Sequence, residues 1–166
     1  MKRAVATGEI LSIRMGLPLL AWPDIHEYGG LFSQNTENGD RIGVEGPSRQ
    51  YFETHHPELL LPQSLGSVGW WNRPHEDLPD MLIRACQVKE NILKRHKSKT
   101  HRVALITHGG FYNFFLSQLL SVAAPEERTH SFQLNNAAIS HINFDESHVR
   151  VDYLNRVDFL PRELIT

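Results

Sequence analysis

The clearest pattern along the chain is a helical repeat over residues 77 to 97. Met81, Ala85, Val88 and Ile92 recur there at i, i+4, i+7 and i+11, while Lys89, Glu90, Lys94 and Arg95 take the other face. Such a helix is expected to pack its apolar face on a sheet. Arg102 to Thr107 is a short continuous apolar run of the kind a buried parallel strand carries, and His108-Gly109-Gly110 follow it directly. Phe111 to Val122 then reads as an almost wholly apolar helix. Strand, glycine turn and buried helix in that order predict an α/β fold, in which ligands sit at the C-terminal ends of strands.

Ahead of this block, residues 3 to 15 hold good helix formers with apolar positions at 5, 10, 11, 13 and 15, and Gly16 and Pro18 end the run. This helix starts almost at the first residue, with only Met1 and Lys2 in front of it to cap it. Leu19 to Trp22 predicts a brief strand that Pro23-Asp24 stops, leading into the loop Ile25 to Gly30. Ser33 to about Gly46 is polar and rich in Gly, Asn and Asp, and reads as an irregular surface excursion. A short helix is expected within Pro47 to His56, then a long ordered loop or lid from Pro57 to Pro74 around Trp70-Trp71. Near the end, Ala138 to Phe144 and His148 to Leu154 alternate about Asp145-Glu146-Ser147, as a β-hairpin does.

Composition narrows the function classes. A chain of 166 residues, 40% apolar and 22% charged, suits one soluble globular domain. A net charge of −2 supplies no basic field to gather nucleic acid or anionic lipid, so a small-molecule partner is expected. Cys86 is the single cysteine, which precludes an intrachain disulfide and fits a reducing, cytoplasmic setting. The first residues lack the apolar stretch of a secretion signal, and no run reaches the ~18 apolar residues of a membrane span. His55-His56 have no carboxylate or cysteine at ligand spacing, so neither a metal nor another cofactor is expected.

Three residues carry candidate chemistry. Thr107-His108-Gly109-Gly110 sets an imidazole at a strand end beside a helix N-terminus, a geometry suited to phosphate; capping of the next helix accounts for the same residues equally well. Glu27, in the loop after the first strand, suits a general acid if partly buried, and a solvated loop carboxylate otherwise. Arg3, in a first helical turn, is unfavourable for the helix dipole unless an anion faces it. His26 either orients Glu27 or simply fills space, and Trp70-Trp71 read as core or lid packing.

Taken in order, Arg3 in Lys-Arg-Ala-x-x-Thr, Glu27 in Glu-Tyr-Gly-Gly and His108 in Ile-Thr-His-Gly-Gly resemble three active-site elements of the histidine phosphatase (phosphoglycerate mutase-like) superfamily. Arg84 in the long helix and the strand start Asn136-Ala137-Ala138-Ile139-Ser140 also stand where that family would have them. The resemblance implies a mainly parallel sheet with helices on both faces, one domain over residues 1–166, and a phosphomonoester hydrolase. It implies catalytic roles for Glu27, as proton donor to the leaving group, and His108, in contact with the transferred phosphoryl. Arg3 and Gly109 would bind the substrate, a small phosphorylated molecule or inorganic phosphate, and the Trp70-Trp71 loop would select its non-phosphate part.

The family's nucleophile lies in an Arg-His-Gly motif at the end of an N-terminal strand, and no Arg-His-Gly occurs in this sequence. Arg95-His96 is followed by Lys97 and falls at the polar end of a helix. The chain is therefore expected to match the C-terminal portion of such a domain, to lack the phosphohistidine nucleophile, and to self-associate through unpaired sheet edges. A catalytically inactive phosphate-binding remnant and a protein-interaction domain are the alternatives. A phosphatase is favoured over a mutase, because the residues after Glu27 lack an arginine-rich stretch that would hold a phosphorylated acid for return transfer.

Overall fold

The computed structural model describes residues 2–96, 101–122 and 131–166. They fall into two compact units, Met1–Met81 with Ala104–His108, and Leu82–Val103 with Gly109–Thr166.

The first unit opens with helix α1, Lys2–Met15. Gly16, at φ 63°, closes it: the left-handed turn lets the Leu17 amide reach back to the Ser12 carbonyl at 3.1 Å. On the inner side Gly8 is buried, and a β-carbon there would stand 2.8 Å from a Leu19 methyl, so the helix backbone rides directly on strand β1, Leu19–Leu20. Strand β1 pairs in parallel with β4, Leu59–Leu60. Between them come the antiparallel strands β2, Phe32–Gln34, and β3, Arg41–Gly43, and helix α2, Arg49–His55. Ser48 caps α2 by accepting the Tyr51 amide. Phe52, Leu59 and Leu65 form the buried core, with Val5, Leu19, Ala21, Tyr51, Leu61 and Trp70 packed against it.

Helix α3, Leu78–His96, carries the predicted apolar stripe: Met81, Ala85 and Val88 are fully buried and Ile92 nearly so. In the second unit, helix α4, Gly109–Leu120, buries Phe111, Phe114, Phe115, Leu116 and Leu119. Strands β5, Ile139–Phe144, and β6, Val149–Arg156, form the expected hairpin, whose turn is held by Asp145 Oδ1 accepting the amides of Ser147 and His148. The Tyr112 and Ser140 hydroxyls, 2.9 Å apart, tie α4 to β5.

Three expectations from the sequence are corrected. The fold is mixed α/β, but the mainly parallel sheet is not there: among the described residues the strands form three two-stranded sheets, and only β1–β4 is parallel. Arg102 to Thr107 runs without a strand ladder, because an apolar run encodes a preference for burial and not the partner a ladder requires. Nor is the 33–46 stretch irregular. Asn35 donates its amide to the Asp40 carbonyl at 2.8 Å and accepts the Gly39 amide at 2.9 Å, which closes the β2–β3 hairpin.

Gly30 is the tightest point near the candidate residues. It sits at φ 73°, and a β-carbon there would overlap the six-membered ring of Trp71. Gly39 has a similar φ of 77° with open space around it. Gly39→Ala is expected to cost about 1 kcal/mol from backbone strain alone. Gly30→Ala adds overpacking and should cost about 3 kcal/mol. Urea melts of the two variants check the difference.

Candidate active site

Arg3 projects from the first turn of α1 and is exposed. Glu27 follows the 3-10 turn Pro23–Ile25, and is half-buried, as is His108. What joins the distant parts of the chain is Thr107, whose hydroxyl donates to the Ile25 carbonyl at 2.6 Å. That bond fixes the residue before His108 against the turn that leads into Glu27. Glu27 Oε1 accepts the Tyr28 amide at 2.8 Å, so the carboxylate is folded back on its own loop. Gly109, the fourth residue expected here, is the first residue of α4 and belongs to the second unit.

Electrostatics link the three side chains of the first unit. Burial, the largest influence, holds the His108 imidazole below the ordinary histidine value; Glu27 pulls it back up, and Arg3 adds a smaller push downward. A neutral imidazole is thereby favoured near pH 7, able to accept a proton or a hydrogen bond.

The Glu27 loop is supported from behind by residues whose part the sequence only hinted at. His26 is 3% exposed and its Nδ1 lies 2.6 Å from the Glu27 carbonyl. Glu76, also buried, accepts the Gly29 amide through Oε2 at 3.3 Å, and its own amide donates to the Gly29 carbonyl at 3.2 Å. Trp71 sets its ring edge-on to His26 with centroids 4.7 Å apart, and the Arg73 guanidinium covers the Trp71 ring at 4.3 Å. Pro23, Asp24, Ser64, Trp70, Asn72 and Arg73 border a cleft of about 280 Å³ on this side. Only the adjacency of His26 and Glu27 was visible beforehand; Glu76 and Arg73 carry no local signal.

His55 and His56 take structural places. His56 pairs with Glu9 at 2.8 Å, and His55 stacks on Tyr51 at 4.3 Å between centroids. No group of three or more metal-ligating side chains occurs among the described residues, and no helix among them is long and apolar enough to cross a membrane. In the second unit Arg84 is buried with its guanidinium 5.1 Å from the Phe111 ring centroid. The strand start at Asn136 to Ser140 is braced by the Asn155 side chain on Asn135.

The family model of the histidine phosphatase superfamily (branch 1) matches residues 1–157, nearly the entire chain. The chain belongs to that superfamily. Membership supports a phosphatase or mutase-type function in general. No curated protein and no solved structure matches the chain significantly.

The charge arrangement has a measurable sign. His108 should titrate below about 6.5 in an NMR pH series, Arg3→Ala should raise its midpoint, and Glu27→Gln should lower it. Equal midpoints in all three proteins would separate these side chains.

Proposed function

We propose that Arg3, Glu27 and His108 are the phosphoryl-binding and proton-donating part of a phosphomonoester hydrolase site. The observation that carries this reading is the Thr107–Ile25 hydrogen bond, which joins the His108 and Glu27 segments within one unit. Arg3 and Glu27 acting in opposite directions on the His108 imidazole supports it independently.

In this reading the Arg3 guanidinium and the His108 imidazole hold the non-bridging phosphoryl oxygens by charge-assisted hydrogen bonds. When a nucleophile forms a bond to phosphorus, Glu27 in its protonated form would give its proton to the ester oxygen as that P–O bond breaks, so that an alcohol leaves instead of an alkoxide. The substrate is a small phosphorylated molecule. Its non-phosphate part would lie towards the Trp70–Arg73 segment, where aromatic faces, a guanidinium, an amide and a hydroxyl are available.

Covalent phosphoryl transfer also needs a nucleophilic histidine, and Arg-His-Gly is not in the sequence. The 166-residue chain is accordingly read as binding phosphate without turning it over. Exposed Leu20 and Leu60, on the two-residue β1–β4 pair, are the sheet edge through which copies would associate.

Inorganic phosphate should raise the His108 midpoint, since a bound anion favours the imidazolium, and Arg3→Ala should weaken that response roughly tenfold in phosphate concentration. An aryl phosphate should be hydrolysed no faster by the chain than by its His108→Ala variant. Turnover abolished by that substitution would show that a nucleophile operates within these residues, and a His108 signal indifferent to phosphate would remove the phosphoryl-binding assignment.

A further inference from the structure

His26 is buried among groups that bear on which of its ring nitrogens carries a proton. The Glu27 carbonyl, 2.6 Å from Nδ1, can only accept a hydrogen bond, so Nδ1 carries the proton. Arg73 can only donate, and its Nη2 lies 3.4 Å from Nε2, so Nε2 is the acceptor. The Nδ1–H tautomer satisfies these two partners at once. Glu76 Oε1 stands 3.9 Å from Nε2, while its Oε2 and amide clasp Gly29 on the far side of Glu27. The Gly30 amide completes the arrangement by donating to the same Glu27 carbonyl at 3.2 Å.

Four of these contacts end on the backbone of Glu27 and Gly29, and the other two, from Arg73 and Glu76, end on the His26 ring. The ring of His26 is fixed in turn by Trp71 at 4.7 Å and Trp70 at 5.5 Å between centroids, and Arg73 is held over Trp71. A buried imidazole with two directional partners and a buried carboxylate on the adjoining amide is an expensive way to fill space, since each would be costly if left unsatisfied. We propose that His26, set in its Nδ1–H tautomer by Arg73 and supported by Glu76, is a positioning residue that holds the loop of Glu27 so that its carboxyl faces His108. The inference rests on the proposed role of Glu27. A proton donor must be aimed, and a loop residue needs an outside brace to hold its direction.

The experiment follows the His108 imidazole by NMR, with His108→Ala to assign it. Its surroundings separate two outcomes by sign: burial and Arg3 lower its midpoint, and Glu27 raises it. If a variant releases Glu27 alone, the midpoint falls. If a variant opens the whole site, the midpoint rises towards the ordinary value near 6.5.

His26→Leu, which keeps the bulk and loses the donor, should lower the His108 midpoint by most of the displacement that Glu27→Gln produces. The double variant should lower it no further than Glu27→Gln does. His26→Asn, whose amide can replace the Nδ1–H donor, should restore the wild-type midpoint. Exposed Arg73 gives a variant with little risk to folding: Arg73→Met should shift the midpoint in the same direction by less. The ¹⁵N shifts of wild-type His26 should show a protonated Nδ1 and a bare Nε2.

A His26→Leu protein with an unchanged midpoint, or one moved upward, overturns the proposal, as does an Nε2–H tautomer. If Glu27→Gln itself leaves His108 where it was, the proposed site has failed before His26 is tested, and the inference goes with it.

Discussion

A single side-chain hydrogen bond, from the Thr107 hydroxyl to the Ile25 carbonyl, spans 82 residues of sequence and joins the approach to His108 to the turn that delivers Glu27. Its partners are not strands of a common sheet. Residues 102 to 107 form no ladder among the described residues, so backbone pairing does not locate His108. A lone hydrogen bond contributes only about 1 kcal/mol net, yet its geometry limits where the next residue can go. The reading of the site as a phosphoryl-binding centre therefore depends on a local contact more than on the sheet.

Charge is distributed around that contact in a consistent way. Arg3 comes from an exposed helical turn that has no acid of its own, and His108 is a half-buried base whose proton affinity is reduced by burial. A group of that kind is poorly suited to holding a permanent charge and well suited to meeting an incoming anion. Glu27 stands in a different regime, with its carbonyl and carboxylate both engaged by nearby donors. In the proposed site, one exposed cation, one imidazole of lowered proton affinity and one carboxyl held by its own loop would serve phosphoester cleavage without attacking phosphorus.

Much of the local structure was legible in the residues themselves, and the failures have physical reasons. The stripe Met81, Ala85, Val88 and Ile92 announced α3 because a helix is a local object whose period is written in consecutive residues. The β5–β6 hairpin showed for the same reason. The β2–β3 hairpin was hidden, since each strand is three residues long and its register is set by Asn35, Gly39 and Asp40, turn residues that read as a loop. Arg102 to Thr107 misled in the opposite sense: Val, Ala, Leu and Ile report a preference for burial, whereas a sheet is a relation between segments. Arg3, Glu27 and His108 were picked out by motif alone, whereas the contacts behind Glu27 left no local signal, because Glu76 lies 47 residues from the glycine it holds.

Gly30 and Trp71 meet so closely that position 30 cannot gain a side chain while the ring remains. A side chain at 30 would require both the removal of the indole and a backbone that leaves the left-handed region, which would unseat the ring against which His26 rests. Among diverging relatives the two positions should consequently exchange as a pair, a small residue at one accompanying a large ring at the other. The statistical coupling of these two columns would then be the trace, in inherited sequence, of a contact between an α-carbon and an aromatic face.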